Sequence, residues 1–295
     1  MPIDLHTHSR RSDGTDAPAA LIGKARAAGL LVVALTDHDT TQGWEEAAQA
    51  ADQLGITLIP GIEVSTRYQG RGVHLLAYLP DPDDPALTAE LALVLAGRNS
   101  RLPAVVERLR AAGVGITVSD VERVSGHAAA TGRPHVADAL VALGAAHDRD
   151  EAFAKWLSPG RPGYVDRYAA DLVDMIGIVR NAGGVSVLAH PWSRSSRRVL
   201  TAQALADLRR AGLAGIEVDH NDHPADVRAQ LRGLAADLDL VATGSSDYHG
   251  IGKVGFDLGC NTTTPEQFDI LMSRARRASA DAGLVDRVPA VTWTR

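Results

Sequence analysis

The chain has 295 residues, 45% of them hydrophobic and 22% charged, with a formal net charge of -6. That length buries one large core with room for a small inserted unit, and the composition is that of an ordinary globular protein, without the apolar run of about 18 residues that a membrane span needs. The acidic balance demands no basic face for gripping a long duplex, and the single cysteine, Cys260, excludes an internal disulfide framework and fits a reducing cytoplasm.

Met1-Pro2 runs directly into the first predicted strand, which leaves no room for a cleavable signal peptide. Short runs rich in Val, Leu and Ile predict strands over residues 3–6, 31–36, 57–64, 73–79, 185–189, 215–218 and 240–243. Amphipathic stretches between them predict helices over 18–28, 44–54, 171–181, 202–211, 225–237 and 265–277. Repeated strand-then-helix order argues for a parallel sheet, closed into a barrel when seven or eight units follow one another. The rhythm breaks between residues 81 and 166, where helical periodicity appears without a strand. Pro80, Pro82 and Pro85 stand at one end and Pro159-Gly-Arg-Pro-Gly163 at the other. A structureless loop of that length is improbable, so the segment reads as a small helical insertion, with residues 1–80 and 167–295 forming the barrel.

Histidines and carboxylates cluster just past the predicted strands. His6-x-His8 places two imidazoles on one face of a strand, because side chains alternate with period two. Asp247-x-His249 repeats the spacing after the last strand, and in a barrel the first and last strands are neighbours, so the two pairs face each other across the mouth. Asp37-His38-Asp39 follows the buried run VVALT; His38 reads as a ligand, Asp37 as a residue orienting a ligand histidine, and Asp39 or Thr40 as the cap of the helix that starts near Trp44. Glu63 ends a strand where a carboxylate can bridge two metals, and Asp13 lies in a Gly-containing turn. His74 and His190 are lone histidines in apolar strands, a setting that more often means a core histidine than a ligand. His127, His147 and His220 read as surface or loop residues, with His223 undecided. Imidazole plus carboxylate is the ligand chemistry of hard and borderline divalent metals, so the clusters point to a polynuclear metal site. Arg133-Pro134-His135 sits before a helix, where a guanidinium and a helix N-terminus both favour phosphate. Trp192, beside His190, is a candidate for stacking on a base or for packing. The arginines at 194, 197, 198, 274, 276 and 277 read as solvated surface.

DLHTHSRRSDGT, LTDHDT, GIE, the His of VHLLAY, GRPH, LAHP and GSSDYH resemble, in order from residue 3 to about 263, the motifs of the PHP (polymerase and histidinol phosphatase) phosphoesterases. Ser245-Ser246 departs slightly from the Gly-Ser often found there. The insertion bearing GRPH resembles the stand-alone bacterial subgroup that acts as 3',5'-nucleoside bisphosphate phosphatases and 5'-3' exoribonucleases on short RNA. The resemblance implies an α/β fold, a distorted (β/α)7 TIM-like barrel with a helical insertion, and two to three divalent ions drawn from Mn, Fe and Zn. By motif, it implies His6, His8, Glu63 and Asp247 on one metal, Asp13, His38 and His249 on a second, and His74 and His190 on a third with Glu63 bridging. It further implies Arg133 and His135 on substrate phosphate.

The expected reaction is phosphoester hydrolysis by a metal-activated hydroxide attacking phosphorus in line, with Arg133 stabilising charge and Asp13, His190 and His249 in the catalytic set. The expected substrate is a small phosphorylated nucleotide or short 5'-phosphorylated RNA. Histidinol phosphate is the rival substrate. A metal-dependent amidohydrolase is a further rival, but many of these bridge two metals through a carboxylated lysine at a strand end. Lys24 and Lys155 fall on predicted helices and Lys253 in a loop. A binding module without activity is the non-enzymatic reading, and the intact ligand set argues against it.

Overall fold

The computed structural model describes residues 2–126, 128–193 and 196–291. The first half of the barrel comprises β1 (Ile3–Asp4), α1 (Pro18–Ala27), β2 (Val32–Leu35), α2 (Trp44–Leu54), β3 (Thr57–Tyr68) and β4 (Arg71–Tyr78). Helices then follow without a strand: α3 (Pro85–Ser100), α4 (Leu102–Ala111), α5 (Val118–Ser125), α6 (Arg133–Ala142) and α7 (Arg149–Ala152), which runs into a π-helical turn, Phe153–Leu157. The second half comprises β5 (Ala170–Asp171), α8 (Leu172–Asn181), β6 (Val185–Ala189), α9 (Ala202–Ala211), β7 (Gly215–Asp219), α10 (Ala225–Asp237), β8 (Val241–Gly244) and α11 (Pro265–Asp281).

The sheet order is β1-β2-β3-β4-β6-β7-β8, with β5 joined to β3. A bridge between Thr7 and Tyr248, in which the His8 N–H donates to the Tyr248 carbonyl at 2.8 Å, brings the last strand end back to the first. Buried Asp4 reinforces that seam by accepting from Ser246 N–H at 3.0 Å and Gly259 N–H at 2.9 Å. The result is a nearly closed seven-strand TIM-like barrel, as expected, except in one respect. The expectation of a wholly parallel sheet fails at β4, which pairs antiparallel with both β3 and β6. The cause is local: Gln69 and Gly70 both hold positive φ, 46° and 75°, which makes the tight two-residue turn of a hairpin and reverses the chain. Strand β3 therefore runs on to Tyr68, past its predicted end.

Three apolar clusters pack the barrel. One joins Ile3, Ile59, Leu76 and Tyr78 to Phe268 and Leu271 of α11; a second joins β3, β4, β6 and β7 to α8, α9 and α10; the third joins Leu21 and Ile22 of α1 to Val33 and Leu35 of β2 and Ala47 of α2. The 102–157 helices have a cluster of their own, including Leu109, Ile116, Val121, Leu140 and Leu157, all fully buried, whereas Leu87, Leu91 and Val94 of α3 pack into the barrel cluster. Neither Asp39 nor Thr40 caps α2: its N-cap is Gly43, without a side-chain cap. Asp39 accepts instead from the N–H and hydroxyl of Ser65 at 2.6 and 2.9 Å and pairs with Arg98 of α3, tying the helical segment to the barrel. No helix among the described residues is long and apolar enough to cross a membrane.

Candidate metal centre

The C-terminal ends of the strands gather the histidines and carboxylates into one cavity. The first turn after β1 is set by Gly14, where a Cβ would stand 2.2 Å from the His8 carbonyl oxygen; only glycine lets the chain fold back and present Asp13. Asp39, His190 and Asp247 all hold left-handed backbone, with φ of 57°, 31° and 53°. Such conformations are costly for residues with side chains and concentrate where the fold aims a side chain at a site. At His190 the cost is offset by Glu217, whose Oε2 accepts the His190 N–H at 2.7 Å.

Glu63 is the hub. Its Oε2 lies 3.3 Å from His6 Nε2, 3.2 Å from His8 Nε2 and 3.1 Å from His38 Nδ1, while its Oε1 lies 2.8 Å from His74 Nδ1 and 3.1 Å from His190 Nε2. Asp247 Oδ1 lies 3.5 Å from His6 Nε2 and 3.4 Å from His8 Nε2. Four donor atoms bound tetrahedrally at about 2.1 Å from one ion are separated by about 3.4 Å. The Nε2 atoms of His6 and His8 stand at about that spacing from both the Glu63 and the Asp247 oxygens. A second group joins Asp13 to His249 at 3.3 Å, to His38 at 3.6 Å and to His8 at 3.8 Å. In potential ligand sets, His8 belongs both with Asp13, His38 and His249 and with His6 and Asp247, and His38 belongs also with Glu63 and His74.

The residues fit divalent metal. Buried His6 Nε2, His8 Nε2 and Asp13 Oδ1 have no hydrogen-bond partner, a state that is costly unless an ion completes it. The outward-facing ring atoms are held by partners that leave Nε2 free to ligate: His6 Nδ1 on Glu217, His249 Nδ1 on the Asp247 carbonyl at 2.8 Å and His190 Nδ1 on Ser193 at 3.2 Å. Asp37 takes hydrogen bonds from Ser9 and Ser12, and the Ser12 hydroxyl stands 3.5 Å from His8 Nδ1, so its influence on a ligand histidine passes through a serine. Burial alone would protonate Asp13, Glu63 and Asp247. The imidazoles around them, and Lys253 at Asp247, outweigh it and hold all three well below the usual carboxylate range. Burial holds His38 down at about 3 and His190 at about 4, hence neutral. Burial also opposes charge on His6 and His8, but the carboxylates prevail, lifting His6 well above its ordinary value and His8 to about 9.

One reading is corrected here, and two residues without an assigned role join the centre. His220 is not a surface residue: it is fully buried, with Nε2 3.2 Å from Asp247 Oδ2 and its ring 5.1 Å from that of His190. Its only sequence signal was its position just past a strand end, shared with GIEV. Glu217 itself, buried beneath His6 and His190, belongs to the centre without having been assigned a role. Lys253, for all its loop position, reaches Asp247 Oδ2 with its ammonium. His223 is buried, with Nδ1 on the Val218 carbonyl at 3.0 Å, and His147 is exposed. His127 and Arg194 lie outside the described residues.

Of the expected substrate contacts, His135 is buried in the first turn of α6. Its Nδ1 accepts the Gly132 N–H at 3.0 Å, which leaves Nε2 as the donor, and the ring feels the charge of Asp13. Arg133 donates to the Leu157 carbonyl at 3.2 Å and lies over the rings of Phe153 and Tyr164. Trp192 packs against the core, donating to the Leu200 carbonyl at 2.8 Å with Arg197 over its ring. Arg274, Arg276 and Arg277 pair with Asp239, Asp286 and Asp281 on the surface.

A barrel of this kind with a His–carboxylate cavity at its strand ends defines a class, and similarity to known proteins identifies it. The PHP domain profile matches residues 4–111. The chain is 38% identical over 263 residues to the 3',5'-nucleoside bisphosphate phosphatase of Chromobacterium violaceum, covering 89% of this chain and 92% of that one. It is 33% identical over 246 residues to a 5'-3' exoribonuclease of Haemophilus influenzae, covering 83% and 89%. A solved structure from Bifidobacterium adolescentis, ascribed to the metal-dependent phosphoesterases, superposes with a TM-score of 0.87 at 37% identity, covering 93% of this chain and 98% of that one. The chain belongs to the PHP family. The sequence-based reading as a metal-dependent phosphoester hydrolase agrees with these relatives.

Proposed function

We propose that the protein releases phosphate from small nucleotides such as 3',5'-bisphosphonucleosides, or 5'-nucleotides from short 5'-phosphorylated RNA. The observation that carries this reading is the convergence of nine side chains on one cavity: His6, His8, Asp13, His38, Glu63, His74, His190, Asp247 and His249. The names carried by the relatives from C. violaceum and H. influenzae support the substrate class. Two to three ions of Mn, Fe or Zn are assigned to the cavity. His6, His8, Glu63 and Asp247 would hold the first and Asp13, His38 and His249 the second, with His8 near both sets. His74, His190 and Glu63 would hold a third.

Bound there, divalent ions supply Lewis acidity toward phosphoryl oxygens and lower the pKa of water at neutral pH. The chain's own residues do the rest. His135, with its tautomer fixed by Gly132, donates through Nε2 to a substrate phosphate oxygen. Arg133 adds positive charge at the same side, and Glu217 and Ser193 hold the ligand imidazoles in place. Residues 81–166 act as an inserted unit over the barrel, and the reaction is placed in the cytoplasm.

The test is metal analysis of the purified protein coupled to phosphate release from three compounds: a 3',5'-bisphosphonucleoside, 5'-phosphorylated RNA oligomers and histidinol phosphate. Release from the first or second, abolished in Asp13→Ala and His249→Ala proteins that still fold, is the expected result. Release from histidinol phosphate alone overturns the substrate, and near wild-type turnover in either variant at full metal content overturns the site.

A further inference from the structure

Asp247 uses its two oxygens differently. Oδ1 meets the candidate ligands, 3.5 Å from His6 Nε2 and 3.4 Å from His8 Nε2. Oδ2 meets instead His220 Nε2 at 3.2 Å and the Lys253 ammonium. Glu63 provides the contrast: both of its oxygens face candidate ligand histidines, as a bridging carboxylate requires.

Both partners of Oδ2 are held in place. His220 is fully buried, and its Nδ1 accepts the Asp222 N–H at 3.0 Å, which puts the ring proton on Nε2, toward Asp247. Arg228 donates to the His220 carbonyl at 2.8 Å. Lys253, on the loop after β8, lies with its ammonium 3.7 Å from the centre of the Phe256 ring. That loop is tied down twice. The Ile251 N–H donates to Thr15 Oγ1 at 3.1 Å, and Asn221, the neighbour of His220, donates to the Gly255 carbonyl at 2.5 Å. Two joined loops therefore aim two donors at one oxygen.

A carboxylate can take a divalent ion through one oxygen or through two, and large hard ions such as calcium use the two-oxygen form. An oxygen that accepts from an ammonium and from a ring N–H has its acceptor sites occupied. Turning Asp247 edge-on to an ion would strip both donors from it and leave the His220 N–H unpaired inside the protein, a costly state.

We propose that His220 and Lys253 are positioning residues that confine Asp247 to one-oxygen ligation of the first metal. The assignment rests on the metal-centre reading. Its consequence is selectivity: the first site keeps two imidazoles and two single oxygens, a set that suits borderline ions such as zinc over calcium. It also leaves coordination positions for water and a phosphoryl oxygen.

The test is cadmium NMR of metal-free protein reloaded with cadmium, in which each bound ion gives its own resonance and a gained oxygen donor moves that resonance upfield. The first site is identified by the resonance that His6→Ala removes. Lys253→Met is expected to move it upfield and leave the others in place. The same variant should lower the zinc-over-calcium preference, read by competition with a chromophoric chelator, about tenfold. Loss of the ammonium relieves repulsion of both ions alike, so their ratio reports ligand geometry rather than charge. His220→Leu, which removes the other donor, should act in the same direction. Lys253→Arg, which keeps a charged donor, and Lys155→Met, a control at an exposed position in the inserted helices, should match wild type. An unchanged first-site resonance or an unchanged ratio in Lys253→Met overturns the clamp, even if KM for a nucleotide rises, because the ammonium would then serve the substrate. If His220→Leu does not fold, the two Lys253 variants decide. Failure of the metal centre itself looks different: wild type gives no bound cadmium resonance at all, and the clamp falls with it.

Discussion

Glu217 Oε1 lies 3.2 Å from His6 Nδ1, deep under the metal cavity, while its other oxygen takes the backbone N–H of His190. One carboxylate thus orients two candidate ligands on different strands, and Ser245 donates to it as well. Opposing charges overcome its burial, beginning with His6, and hold it at about 2, so it is an anion at every pH of interest.

Carboxylates that accept from the far nitrogen of a ligand histidine fix its tautomer and raise its basicity. Glu217→Gln is therefore expected to weaken metal affinity about 10- to 100-fold while the protein still folds. Competition with a chromophoric chelator reads this directly. An affinity equal to wild type would show that the contact is incidental.

Metal uptake is expected to release protons. His6 lies well above its ordinary value and His8 at about 9, so both are protonated in the metal-free protein at pH 7, and an imidazole must be neutral to ligate. For His8 the folded value exceeds the ordinary 6.5, so its protonation stabilises the metal-free fold fully below pH 6.5, and that contribution disappears as pH rises through 9. The metal-free melting temperature should thus fall across this window and the metal-loaded one should not share the decline. Calorimetry in buffers of different ionisation enthalpy counts the protons; none released at pH 7 would contradict the assignment.

The Arg98–Asp39 pair joins α3 to the barrel. Removing the cation leaves Asp39 buried and uncompensated, so Arg98→Met is expected to cost about 3–5 kcal/mol in urea unfolding. Burial raises the Asp39 carboxyl, but Arg98 and Arg167 outweigh it and keep it lowered. Its stabilisation is therefore present above the ordinary carboxylate value and lost as pH falls through its lower folded one. In Arg98→Met that acid loss should begin at higher pH. Coincident acid transitions for the two proteins would remove the pair from the account.

The primary structure by itself determined the sequence of strand and helix, the helical stretch after β4, and nearly all the side chains that meet in the cavity, because two-residue spacing and placement after buried runs are local properties. The antiparallel β4 was legible too, in the Gln69-Gly70 turn, once turn chemistry is weighed above strand composition. What the linear chain does not contain is proximity. His220 and Glu217 become part of the centre only when β7 is laid between β6 and β8, and Asp39 proves to be a latch rather than a cap only because α3 crosses above it. Charge neighbours and burial are set by closure of the barrel, and only the tertiary structure decides them.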